Sequence, residues 1–258
     1  MDPLVLLHGF MGRGSSWDAV LTALMEAGLD QPVDGWSPDL PGHGSSAGVR
    51  PDSFESTVRV MAKKIDKRFD KPVVLAGYSM GARLALGIAW SRPELVRHLV
   101  LIGVQPGLNL TEERRQRADD DSGLSERLLT EGLDSFINYW QNIPLFADQK
   151  ELPAELLVKQ RQTRTAQDPE ALAWALKTLS PGLMPNFRPR LLEWEGPPIT
   201  LVTGENDRKF CDIAEEILTL EPAIRHEVIP DCGHNTVLEA PGPTAGILAS
   251  VLKQESSK

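Results

Sequence analysis

Ser79 lies between two glycines in Gly77-Tyr78-Ser79-Met80-Gly81, directly after an apolar run and directly before a helical pattern. A sharp strand–turn–helix of this kind holds a serine in a strained backbone conformation with its hydroxyl projecting. Side chains at Gly77 and Gly81 would collide with the neighbouring strand and helix. A serine hydroxyl reacts, as nucleophile or as base, only when a neighbour takes its proton. His234, in Cys232-Gly233-His234-Asn235 beyond the last apolar run, is the one histidine of five placed to do so. The others have blander readings. His8 and His43 sit in turns that favour backbone hydrogen bonding, and His98 and His226 start strands, where partial exposure is expected. The acid that orients the imidazole belongs in the loop Gly204-Glu205-Asn206-Asp207. Asp207 is preferred because its distance from Gly204 gives the loop reach. Glu205 is the alternative, and Asp231 is too close in sequence to His234.

Charge that develops on a substrate oxygen needs two converging donors. The Met80 N–H, following the serine, is one. The Phe10 N–H, in the His8-Gly9-Phe10 loop after the first apolar run, is the other. Arg83 adds a permanent cation one helical turn beyond Ser79 and on the same side. A surface position or a structural ion pair is its alternative reading. A neutral ester would gain nothing from this guanidinium, whereas an anionic substrate would.

Continuous apolar runs must position these groups. Leu4–Leu7, Val33–Asp39, Val73–Gly77, Leu99–Gly103, Ile199–Thr203 and His226–Ile229 each end in glycine or turn residues. Runs of this length fit strands buried on both faces of a parallel sheet. Helical patterns separate them at Ser16–Ala27, Phe54–Phe69, Met80–Ser91, Phe210–Leu220 and Thr244–Lys253. The alternation predicts an open α/β sheet with helices on both faces and ligands beyond the carboxyl ends of its strands. From Gln105 to Pro181 there is no strand pattern. Thr111, with Glu112 and Glu113, and Asp168, before Pro169, read as helix starts. So long a stretch is predicted to be a helical cap, residues 105–181, inserted into a core of residues 1–104 and 182–258. The final QESSK reads as a frayed tail.

Composition sets the outer limits. The 258 residues are 41% hydrophobic and 24% charged, with a formal net charge of −9. That balance argues against a broad nucleic-acid or acidic-membrane surface, so any anion site is built from a few placed arginines. Cys211 and Cys232 have neither a metal-ligand nor a CxxC spacing, and reduced packing thiols are expected. Leu4–Leu7 is too short for a signal segment, and no run approaches membrane-spanning length. A cytoplasmic protein without membrane insertion is expected. No phosphate loop, dinucleotide fingerprint or metal-ligand cluster occurs, and no cofactor or metal is expected. A monomer is favoured.

The motifs HGF, DLPGHG, GYSMG, GEND and GHN together resemble the α/β-hydrolase superfamily. The HGF strand comes first in the chain, so about six strands are expected, without the two leading strands many members carry. Further stretches resemble the 2-succinyl-6-hydroxy-2,4-cyclohexadiene-1-carboxylate synthase family of menaquinone and phylloquinone biosynthesis. They are GYSMGARLAL, PGLNLTEERRQR, YWQNIPLF, the VKQR before QTR, and GENDRKF. Ala82 departs from the second glycine more usual there. The resemblance implies a lyase rather than a hydrolase, acting on a small tricarboxylate. Ser79, activated by His234 and Asp207, would remove the proton beside the succinyl carbonyl, and pyruvate would leave. The Phe10 and Met80 amides would then hold an enolate oxygen. By flanking sequence the resemblance also assigns substrate-binding roles to Arg83, Arg117 and Arg161, although Arg114, Arg115 and Arg164 lie nearby. Tyr78 and Trp140 become pocket-lining candidates, with packing as the alternative for an aromatic residue of the cap. A serine carboxylesterase, thioesterase or carbon–carbon bond hydrolase acting through an acyl-enzyme uses the same triad and remains the competing activity.

Overall fold

Alternate residues of the first strand face opposite ways, and both sets are apolar. Val5 and Leu7 join one core, while Leu4 and Leu6 join another. A strand that buries both faces needs helices above and below it. The computed structural model, which describes residues 2–29 and 32–256, shows that arrangement. Strands β1 (Asp2–Leu7), β2 (Val33–Trp36), β3 (Val73–Tyr78), β4 (Val96–Ile102), β5 (Ile199–Gly204) and β6 (Arg225–Ile229) form one sheet. Their order is β2-β1-β3-β4-β5-β6, and every neighbouring pair is parallel. Helices α1 (Asp18–Glu26) and α11 (Pro241–Ser256) cover one face. Helices α2 (Phe54–Arg68), α3 (Met80–Ser91) and α9 (Arg208–Leu220) cover the other. Chain order reverses direction between β1 and β3, and the loops at the carboxyl ends there open a crevice for ligands.

Burial on both faces holds for the central strands but not for the edges. Every residue of β3 and β5 is buried, whereas β2 has none and β6 only Ile229. The second strand also stops at Trp36, short of the expected Asp39, because Asp39 is drawn into a turn. Its carboxylate accepts from the Gly14 and Ser45 N–H groups at 2.8 and 2.7 Å. His98, expected to be partly exposed, is fully buried and bonded to Thr200 Oγ1 at 2.9 Å. Its strand begins at Val96 and lies between two others, which carries His98 inside. The last helix runs through Ser256, into the stretch read as a tail; Ser257 and Lys258 lie outside the described residues. Cys211 and Cys232 are buried free thiols. Among the described residues, no helix is long and apolar enough to cross a membrane.

Residues 103–198 contain no strand. They form α4 (Thr111–Glu131), α5 (Leu133–Trp140), a 3₁₀ segment (Pro144–Glu151), α6 (Ala154–Thr165), α7 (Pro169–Thr178) and the single turn α8 (Arg188–Leu191). Asp168 caps α7 by accepting the Ala171 N–H at 2.9 Å, whereas Thr111 is the first helical residue of α4 rather than its cap. Leu128, Phe136, Ile137, Leu172, Ala173 and Leu176 give this insert a small core of its own, and Met11 from the loop after β1 plugs into it. Gln167 is the polar counterpart. It donates to the Gly12 carbonyl at 2.9 Å and accepts the Gly44 N–H at 2.9 Å. The insert is thereby fastened to the loops after β1 and β2, next to the crevice.

Candidate functional site

The turn after β3 has the strain expected of it. Ser79 sits at φ 52°, ψ −107°, a region that L-residues avoid and that costs about 1–3 kcal/mol. The Ser79 N–H is held by the Ile102 carbonyl at 2.8 Å, and the serine precedes α3 without its hydroxyl capping the helix. A side chain at Gly81 would run into the Leu7 and His8 carbonyls, and one at Gly77 into the Gly81 backbone. Both glycines are therefore required by close approach. The Met80 N–H opens α3, where no intrahelical acceptor exists, and is free to serve a ligand.

Two histidines hold the loop that carries Phe10. His8 Nε2 accepts the Leu40 N–H at 3.0 Å, and His43 Nε2 accepts the Met11 N–H at 3.2 Å. Each ring therefore carries its proton on Nδ1, aimed at the Gly9 and Pro41 carbonyls at 2.8 and 3.1 Å. The loops after β1 and β2 thus grip each other through one imidazole apiece. Burial keeps both rings neutral, with the His8 pKa lowered to about 4 and that of His43 to about 3, the latter also by repulsion from His8.

Asp207 and His234 come together from the loops after β5 and β6. Asp207 Oδ2 accepts from His234 Nδ1 at 2.6 Å, and both residues are buried. Glu205, the alternative acid, points elsewhere and accepts the Asp231 N–H at 3.2 Å. His234 Nε2 is buried and makes no hydrogen bond, so the Ser79 hydroxyl is not yet engaged with it. The imidazole is enclosed by aromatic rings, with centroids of Phe210 at 4.5 Å, Tyr78 at 5.4 Å and Phe146 at 6.2 Å. A methyl group at Gly103 would lie 2.6 Å from its Cε1.

Ser79 and His234 open into one cavity of about 130 Å³, together with Phe10, Met80, Tyr78 and Trp140. Arg83 and Arg117 line it as well. Arg83 is 9% exposed and donates to the Leu179 carbonyl. Its pKa falls to about 9, first through burial and then through repulsion from Arg117, and it still carries its charge at neutral pH. Arg117 Nε donates to Asp121 Oδ2 at 2.8 Å, and the same oxygen accepts from Ser180 at 2.6 Å. Lys209 also lines the cavity, its pKa lowered by burial and then by Arg117. Arg117 lowers both Arg83 and Lys209, so the cavity gathers positive charge that an anion relieves. Asp121 and Lys209 are not marked in the sequence: Asp121 acquires its place from Arg117 on its own helix and from Ser180, and Lys209 from the cavity that the insert closes. The spacing of four between Arg117 and Asp121 is the visible trace of Asp121 alone.

Arg161 lies elsewhere. It bonds Asn138 Oδ1 at 2.7 Å and Asp134 Oδ1 at 3.1 Å, tying α6 to α5 on the outside. Its place inside is taken by Arg164, 5% exposed, with an Nη1 that has no partner. Burial brings the Arg164 pKa down to about 10, against the pull of Tyr78. Arg164 lines a second cavity of about 160 Å³, separated from the first by Phe10, Tyr78 and Phe146, which line both. The helical repeat sets Leu156, Gln160, Thr163 and Arg164 along the inward face and leaves Arg161 off it. Tyr78 is buried and its phenol is pushed well above its usual range, so it stays a proton donor between the cavities. Trp140 both lines the cavity and packs, stacked on Phe136 at 5.8 Å and edge-on to Phe10 at 5.2 Å.

The sheet order, the strained serine turn and the loops gathered at the strand ends define the class. The chain belongs to the alpha/beta hydrolase family, whose model matches residues 4–247. Within it, the chain is 34% identical over 250 residues to the 2-succinyl-6-hydroxy-2,4-cyclohexadiene-1-carboxylate synthase of Enterobacter sp. strain 638, covering 97% of this chain and 91% of the relative. It is 35% identical over 243 residues to a Bacillus subtilis protein provisionally named as that synthase, covering 93% and 86%. A structure of MenH from S. aureus matches with a TM-score of 0.90 and 32% identity over 99% of this chain and 94% of that one.

Proposed function

We propose that this protein is a lyase of menaquinone biosynthesis that eliminates pyruvate from 2-succinyl-5-enolpyruvyl-6-hydroxy-3-cyclohexene-1-carboxylate. The observation that carries this reading is the placement of Arg83 and Arg117 in the cavity that holds Ser79 and His234. An acyl ester has no use for those charges, whereas a tricarboxylate does. Similarity to named synthases over nearly the whole chain supports the same conclusion.

In this reading residues 105–181 are a cap that brings charge over a hydrolase core. Arg83, Arg117 and Arg164 grip the substrate carboxylates, with Tyr78 donating between the two cavities and Trp140 packing against the ring. His234, oriented by Asp207, takes the Ser79 proton, and Ser79 removes the proton beside the succinyl carbonyl. The electron pair shifts toward the ring as the carbonyl oxygen gains negative charge, which the Phe10 and Met80 amides stabilise. The ring double bond then moves and the carbon–oxygen bond to the enolpyruvyl group breaks. The leaving enolate takes up a proton to become pyruvate, and the ring retains the 2,4-diene. Ser79 acts as a base and forms no covalent bond to carbon.

Release of pyruvate from this substrate tests the activity. Deuterium on the carbon beside the succinyl carbonyl tests the role of Ser79 and is expected to slow turnover. Intact-mass detection of an acyl-enzyme would overturn the base role.

A further inference from the structure

The 3₁₀ segment Pro144–Glu151 touches both loops that carry the acid–base pair. Asp148 Oδ1 accepts from Asn206 Nδ2 at 3.1 Å, next to Asp207 in the chain. Gln149, only 4% exposed, donates to Glu239 Oε1 at 3.4 Å and accepts from Gln160 of α6 at 3.0 Å. Glu239, the last residue of the short helix α10 (Thr236–Glu239), clamps the histidine loop. Its Oε2 accepts the Gly233 N–H at 2.6 Å, and its Oε1 accepts the Asn235 N–H at 3.2 Å. Those are the amides on either side of His234. The Cys232 thiol also points at this carboxylate at 3.8 Å, and burial followed by the Glu239 charge pushes it up to about 12, so it remains a donor. A methyl group at Gly233 would lie 2.6 Å from Asp148 Oδ2 and 2.8 Å from Glu239 Oε2, so the loop is wedged between the insert and α10.

We propose that Glu239 and Gln149 are positioning residues that set His234 through the chain Gln160–Gln149–Glu239 to the Gly233 and Asn235 amides. A carboxylate is the side chain this clamp requires, because only an acceptor-only group satisfies two backbone donors, a thiol and an amide together. Gln160 lies one helical turn before Arg164 on the inward face of α6. A ligand that engages Arg164 therefore fixes the same helix face from which the chain to His234 begins. Small displacements at a reacting centre are expensive, which makes the clamp consequential for rate rather than for binding.

The proposal rests on Ser79, His234 and Asp207 being the reacting centre, and the test separates the two claims. Phenylmethylsulfonyl fluoride sulfonylates an activated serine without any elimination substrate, and intact mass follows the reaction. Glu239→Ala and Gln149→Leu are expected to slow labelling of Ser79 by about tenfold or more. Glu239→Gln, which keeps one acceptor oxygen, recovers part of the rate. The same factors are expected in kcat for pyruvate release, with KM changed less than about twofold. Folded Glu239→Ala and Gln149→Leu proteins that label at the wild-type rate overturn the positioning role alone. A Ser79→Ala protein that releases pyruvate at the wild-type rate overturns the reacting centre, and the positioning role with it. Gln149→Leu touches neither loop directly, so it answers the question even where Glu239→Ala fails to fold.

Discussion

His8 and His43 make stability depend on pH in a way that can be measured one residue at a time. Both rings are buried and neutral, with pKa values of about 4 and about 3, against an ordinary value of 6.5. The unfolded chain therefore binds more protons than the folded protein as pH falls below 6.5. The stabilisation is fully present above that value and drains away as pH drops toward 4 for His8 and 3 for His43. At pH 5 both folded rings are still neutral, so the loss depends only on the 1.5-unit distance from the unfolded value. It comes to about 2 kcal/mol for each histidine and about 4 kcal/mol for the pair. Urea unfolding at pH 7 and pH 5 measures the drop, and His43→Gln isolates one half of it. Glutamine can still accept the Met11 N–H but does not titrate. The difference between the two pH values is expected to shrink by about 2 kcal/mol in the variant, while changes common to both pH values cancel. An unchanged difference would refute the neutral, buried imidazole at this position.

Ser79→Ala is expected to lower kcat for pyruvate release by about 100-fold or more without lowering the unfolding midpoint, since the replacement also removes no buried contact. Arg164→Ala should cut kcat/KM by about 10- to 100-fold, the value of one or two charge-assisted hydrogen bonds, while Arg161→Ala stays within about twofold. The reverse order in steady-state assays would return the binding role to Arg161. Gly81→Ala pushes a methyl group into the Leu7 and His8 carbonyls and should leave little folded protein by circular dichroism. A folded, active Gly81→Ala protein would contradict the packing of α3 on β1.

Much of the core was written in local pattern. Apolar runs ending at Gly9, Gly77 and Gly204 located the strand ends, and strand ends are where this architecture gathers its loops. The serine turn could be read because its glycines answer to backbone collisions a few residues away. Partners across the insert were less accessible. Arg161 and Arg164 differ by three residues on one helix, and Asp134 and Asn138 on α5 hold Arg161 on the outside. Asp121 looks like one member of an acidic run until Arg117 and Ser180 converge on it. His98 looks like a strand start in the sequence, but its strand begins at Val96 and lies between β3 and β5, where His98 meets Thr200.

Loss of pyruvate from bound substrate is the central event of the proposed reaction. Purified protein supplied with 2-succinyl-5-enolpyruvyl-6-hydroxy-3-cyclohexene-1-carboxylate, with pyruvate followed through lactate dehydrogenase, measures this directly. Saturable release far above the spontaneous rate, lost in Ser79→Ala and in His234→Ala, is the predicted result. Release no faster than in buffer, from a protein that hydrolyses p-nitrophenyl esters rapidly, would contradict it.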